Sequence, residues 1–228
     1  MKPFEYEIEN LRSLAFEMLE LVQDQIHLTK EALFTADREL AAEIMRKEKR
    51  VNAYELSIDR ECEDFLALHS PVASDLRFTM ALIKISENLE RIGDHAYRIS
   101  SFIFDKMMKL NKELVDLLHM TAIFDEIDDM FINVSDSLDK GDIKLAKKVF
   151  KQDKYLDKVN NKLPELLENY AKKKDGELAN LILISRTIGK LERVGDLLKN
   201  IAEEIIFYYE SKVVKHKKKN KFIRKKLE

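Results

Sequence analysis

The sequence predicts an all-α protein, a tandem pair of three-helix bundles, on three observations. Gly 5, Pro 3 and no Trp in 228 residues leave little of the turn chemistry that a sheet requires. Apolar positions recur at helical period through six segments of roughly thirty residues each. The second half of the chain repeats the first.

The breakers set the elements in order. Phe34 to Asp37, Ser70-Pro71, Asp105 to Asn111, Asp139 to Asp142 and Lys174 to Gly176 separate six long helices. Ser70-Pro71 reads as N-cap and first helical residue of the third helix, where proline's missing donor costs nothing. Pro164 falls inside the fifth helix and is expected to kink it by removing one backbone hydrogen bond.

The duplication is explicit in the residues. Asp37, Leu40, Ala41, Ile44, Glu48, Val51 and Asn52 recur 105 positions later as Asp142, Leu145, Ala146, Val149, Asp153, Leu156 and Asp157. Leu89-Glu90-Arg91-Ile92-Gly93-Asp94 recurs 102 positions later as Leu191-Glu192-Arg193-Val194-Gly195-Asp196. The chain therefore divides into a first repeat over 1–106, a second over 107–211 and a basic tail over 212–228, with pseudo-twofold symmetry between the repeats.

Charge separates body from tail. Nine basic residues and no carboxylate lie between Lys212 and Lys226, which in a chain of net charge −2 leaves −11 on the remainder. Like charges at this density read as a solvated extension or as a continuation of the last helix, with an anionic membrane surface, nucleic acid or the acidic body of another subunit as the alternatives. Met1 to Asn10 carries acidic residues where a signal peptide needs an apolar run, and no stretch approaches the ~20 apolar residues of a membrane span. A cytoplasmic location is expected. The single cysteine, Cys62, on the apolar side of its helix, reads as a small core residue.

The third helix buries a seam of Leu82, Ile85, Leu89, Ile92, Ala96, Ile99 and Ile103, spaced by alternating steps of three and four. Glu90 and Asp94, four apart, lie off that seam on the outward side, and Glu192 and Asp196 repeat the arrangement beside Leu191, Val194, Leu198, Ile201 and Ile205. Glu48 with Asn52 and Asp153 with Asp157 form a second outward element on the preceding helix of each repeat. Paired adjacent helices bring Asp153, Asp157, Glu192 and Asp196 to one groove, and such a cluster repels itself unless protonated or bridged by a cation. Gly93 and Gly195, each in a helix interior, mark a close approach, by preference of a neighbouring helix. Pairs from Glu87 to Arg91 and from Asp94 to Arg98 would neutralise the first groove. Asn200 stands where the first repeat has Arg98, so the second groove is expected to be the less compensated and the better metal site.

Pro71-Val72-Ala73-Ser74-Asp75-Leu76-Arg77 followed by Leu89-Glu90-Arg91-Ile92-Gly93-Asp94-His95-Ala96, with a second Leu-Glu-Arg-Val-Gly-Asp one repeat later, resembles the PhoU family over residues 5 to 210. The resemblance implies twin three-helix bundles whose acid-x-x-x-acid motifs hold multinuclear iron or zinc on the bundle surface. It maps Glu90 and Asp94 to one site and Asp153, Asp157, Glu192 and Asp196 to the other; Glu48, outward on the preceding helix, is a further candidate metal ligand of the first. Asn52, Asn88 and Lys190 depart from the family's acidic pattern, and neither a neutral amide nor a charged lysine replaces a carboxylate ligand. The implied role is a non-enzymatic regulator of phosphate uptake that links a phosphate transporter to a phosphate-sensing histidine kinase and restrains the starvation response. A homodimer, no nucleic-acid partner and peripheral membrane contact through partners or the tail are the accompanying expectations.

Two other readings compete. A carboxylate-bridged di-iron oxidase wants Glu-x-x-His on two helices turned into a dry core. This chain has none, its nearest approach being Asp24-Gln25-Ile26-His27. No phosphate-cradling glycine loop supports nucleotide hydrolysis, and His95, matched by Leu197, reads as a packing or surface histidine. No catalytic residue is assigned. A metal-independent helical adaptor that binds basic segments in its acidic grooves shares the fold.

Overall fold

The computed structural model describes residues 3–106, 110–174 and 176–214. Its elements are α1 (Pro3–Thr35), α2 (Arg38–His69), α3 (Ala73–Lys106), α4 (Lys112–Leu117), α5 (Met120–Lys140), α6 (Ile143–Ala171) and α7 (Leu178–Glu210). The first repeat packs α1, α2 and α3 together; the second packs α5, α6 and α7, with the short α4 laid against α5. The repeats join broadly through α3 and α7 and more narrowly through α1 and α5, as a pseudo-twofold arrangement requires.

Asp37 and Asp142 begin the second long helix of each repeat in the same way. The Asp37 carboxylate accepts from the Glu39 and Leu40 amides at 2.8 and 3.1 Å, and Asp142 accepts from Lys144 N at 2.9 Å. Each satisfies donors that a helix start leaves open. The residue before each cap is left-handed, Ala36 at φ 58° and Gly141 at φ 67°. Gly141 is covered by the Tyr209 ring, whose hydroxyl donates to Leu138 O at 2.7 Å and ties the end of α7 to the α5–α6 turn.

Two local expectations are corrected. Ser70 does not cap α3; it ends α2 in the left-handed region at φ 46°, so Pro71 lies in the connection and α3 begins at Ala73. The fourth long helix is two, broken at His119 (φ 50°). Leu118 and Met120 flank that break and both are buried, whereas residues two apart on a continuous helix point about 200° from each other. The left-handed residue lets both face the core. Pro164 lies inside the fifth long helix as expected, and α6 runs on both sides of it.

All seven predicted seam residues of α3 and all five of α7 are buried, each Leu, Ile and Val among them worth about 1.5–3 kcal/mol relative to exposure. Cys62 is a core residue, its thiol pushed up to about 12 by burial and then by Asp59 and Glu61. The basic tail beyond Val214 lies outside the described residues.

The glycines of α7 divide sharply. A Cβ on Gly195 would stand 2.4 Å from Leu156 Cδ1 on α6, while one on Gly189 would meet nothing within 4 Å. Gly195→Ala is expected to destabilise the fold by about 1–3 kcal/mol through overpacking. Gly189→Ala should stabilise it by ~1 kcal/mol through lower unfolded-chain entropy and better helix propensity. Urea unfolding of both variants checks this; equal effects would mean that α6 and α7 do not depend on the missing side chain.

Candidate functional site

The groove of the first repeat runs between α2 and α3. Gly93 opens its floor, because a Cβ there would lie 3.1 Å from Glu48 Oε2, 3.1 Å from Gln25 Oε1 and 3.2 Å from Val51 Cγ1. Glu48 thus rests against the α3 backbone with Oε2 buried and unpartnered, and Gln25 Oε1 is a second buried acceptor without a donor. Burial first, then Glu90 and Asp94, raise the Glu48 carboxyl to about 7, against the opposing effect of the Gln25 side chain. Glu90 is itself raised by burial and by Asp94, and Glu55 by burial and by Glu90. Asp94 is held by Arg98 Nε at 2.7 Å, an exposed pair on one helix. The expected Glu87–Arg91 pair is not among the ion pairs of the described residues.

The groove of the second repeat, between α6 and α7, is built differently. Asp153 does not point outward: only 5 % of it is exposed, because α7 closes over it where Gly195 admits Leu156. Lys199 Nζ donates to Asp153 Oδ2 at 2.7 Å and to Asp196 Oδ1 at 2.6 Å, so one ammonium bridges both helices. Burial works against the Lys199 charge, but the hydrogen bonds it donates to Asp153 and Asp196 outweigh that and hold its pKa above the ordinary value. Removing one partner of such a buried pair leaves the other uncompensated, which costs far more than the pair itself contributes. Glu192 and Asp157 are half-buried beside it.

The expectation that the second groove is the less compensated is therefore wrong. Asn200 supplies no charge, but Lys199 stands three residues after Asp196, a spacing that puts the two on one face of α7. The first repeat has Tyr97 at that position, and its cation, Arg98, reaches only its own helix. Sequence reasoning passed over Lys199, whose i to i+3 spacing was the available signal. Gln25 was also missed, although a glutamine among Met18, Val22 and Ile26 on the buried stripe of α1 is visible as a polar residue in an apolar run. Asn52 is exposed on α2, outside the Glu48 cluster.

Among the described residues, no three His, Cys, Asp or Glu side chains are disposed to hold one ion. The second groove does not fit the iron or zinc that the resemblance implies, since an ammonium already occupies the place between its two helices. The first groove fits better: the unpartnered Glu48 oxygen and the raised Glu90 are hard oxygen donors short of positive charge.

The Glu48 shift has a stability consequence. Its folded value, about 7, lies above the ordinary 4.5, so its stabilising contribution is complete below the unfolded value and is lost as pH rises through about 7. Glu48→Gln should therefore gain stability over the parent at pH 8 and little or none at pH 4.5. Urea midpoints at the two pH values measure the difference, and an equal effect at both would show that Glu48 titrates normally.

Comparison with known proteins gives this architecture its place. The family described as the PhoU domain matches residues 16–103 and again 120–205. The phosphate-specific transport system accessory protein PhoU homolog of Zymomonas mobilis is 32% identical over 91% of this chain and 86% of its own. The phosphate-specific transport system accessory protein PhoU of Escherichia coli is 28% identical over 93% of this chain and 88% of its own. The crystal structure of PhoU from Pseudomonas aeruginosa superposes with a TM-score of 0.85 at 29% identity, covering 92% of this chain and 100% of that one. With both of its three-helix units matched separately and its whole fold matched in a solved structure, the chain belongs to the PhoU family.

Proposed function

We propose that this protein is a non-enzymatic cytoplasmic regulator of phosphate uptake, one that connects a phosphate transporter to a phosphate-sensing histidine kinase and restrains the starvation response. The observation that carries the reading is the near full-length agreement with relatives named as accessory proteins of phosphate transport. The structure suits such a role: among the described residues no helix is long and apolar enough to cross a membrane, and two carboxylate-lined grooves lie on the bundle. A homodimer belongs to the same proposal. Deleting the gene in its host should switch on starvation-response genes in phosphate-rich medium, with restoration by the intact gene. Normal repression in the deletion strain would refute the regulatory role. Recovery of neither the transporter nor the kinase with the tagged protein would refute the link.

The metal part of the proposal is confined to the first repeat. Iron or zinc, where bound, would be held by Glu48 and Glu90, with Asp94 joining only on leaving Arg98, and would supply the positive charge that this groove lacks. Elemental analysis of the purified protein should find metal that disappears in Glu48→Gln/Glu90→Gln and persists in Asp153→Asn/Asp196→Asn. Loss in the second variant alone would reverse the assignment. Absence of metal from reconstituted parent protein would favour a metal-independent adaptor binding basic segments.

A further inference from the structure

Where α3 and α7 separate at one end of the repeat boundary, they leave a cleft of about 220 Å³. Arg98 and Phe102 line it from α3, Arg186, Thr187 and Lys190 from α7. The Thr187 hydroxyl already donates to Leu183 O at 2.9 Å, so the cations are the donors that remain. Arg186 stands over the Phe102 ring, 5.7 Å from its centroid, and the aromatic face holds the guanidinium at the cleft wall. Arg98 gives its Nε to Asp94, which leaves the other N–H groups of the fork unspent. Arg186 and Lys190 have no carboxylate partner among the ion pairs of the described residues.

The charges here are mutually unfavourable. Arg98, Arg186 and Lys190 line one cleft, with Asp94 pairing to Arg98 alone of the three. His95, one residue after Asp94 on α3, has its Nδ1 buried with no hydrogen-bond partner. A cluster like this lacks an anion.

The pseudo-symmetric position shows that the cluster is not inherited packing. At the other end of α3 and α7 lies a smaller cleft of about 130 Å³, lined by Lys84, Glu203, Glu204 and Phe207. Lys84 occupies the place of Arg186, and it pairs with Glu204, the counterpart of Phe102, at 3.3 Å. Asn88 and Asn200 replace Lys190 and Arg98 and meet each other at 3.4 Å. In one cleft the cation is met by a carboxylate; in its twin Arg186 and Lys190 are not.

We propose that the Arg98–Arg186–Lys190 cleft binds a small dianion presenting a phosphoryl group. Asp94 cancels one of the three cations, and the two that remain match a dianion. Arginine forks engage phosphoryl oxygens through paired N–H groups, with lysine as a point charge. The inference rests on the cleft's own charge and geometry and stands without the regulatory role.

Isothermal titration tests it with two probes, inorganic phosphate and glucose 6-phosphate, at pH 8 and constant ionic strength, with EDTA present so that no metal-bridged anion contributes. At least one probe should bind saturably, and Arg186→Gln and Lys190→Asn should each weaken it about tenfold. Lys190→Asn installs the residue that the other repeat already carries at this helical position, so the fold accommodates it. Binding of phosphate alone identifies the free ion as the ligand, and binding of the ester alone a phosphorylated metabolite. Binding of neither, or affinity unchanged in both variants, overturns the proposal.

Discussion

The packing of α3 and α7, each against its own repeat and against the other, is the constraint on which the rest of the molecule depends. Leu89, Ile92, Ala96, Leu191, Val194 and Leu198 are all buried, and a helix covered on several sides retains only a narrow polar strip. Glu90, Asp94, Glu192 and Asp196 occupy that strip. They are half-buried, where carboxylates on a peripheral helix would be fully solvated, so each groove carries charge in partly desolvated surroundings. That is why Glu48 and Glu90 hold their protons more tightly than usual and why Asp153 requires an ammonium beside it.

Much of this was legible before any coordinates. Alternating three- and four-residue steps identified the seams, the duplicated Leu-Glu-Arg-x-Gly-Asp located the grooves, and Asp37 and Asp142 marked helix starts. Ser70-Pro71 misled because a serine before proline suits a helix start, while the left-handed backbone that makes Ser70 a stop has no signature in a non-glycine residue. His119 hides the break between α4 and α5 for the same reason. The burial of Asp153 was illegible in a subtler way. Periodicity says which side of a helix faces its neighbour, but the depth of the groove depends on how near α6 approaches α7, which a missing side chain at Gly195 sets. Lys199 was legible as a partner of Asp196; its reach to Asp153 on the other helix was not.

Electrostatics distinguishes the two halves more than packing does. Gly93 and Gly195 occupy equivalent places, yet the first admits a carboxyl and an amide while the second admits Leu156. Glu48 is longer than Asp153 by one methylene and enters a pocket also facing Gln25; Asp153 is shorter and is met by a lysine. Along the α3–α7 boundary the same divergence recurs, with Lys84 neutralised by Glu204 at one end and Arg186 unneutralised at the other. Positive and negative fields therefore fall at unequal ends of a scaffold whose backbone is nearly symmetric.

That inequality is available only because the two repeats share one chain. In a dimer of separate three-helix subunits, Lys199 would appear in both grooves or neither, and an arginine at position 186 would be duplicated across the axis. Tandem fusion removes that coupling. One half can conserve a structural ion pair while the other keeps an unsatisfied carboxyl, and the molecule gains a defined front and back that a true twofold would forbid. A partner meeting it can therefore be held in a single orientation.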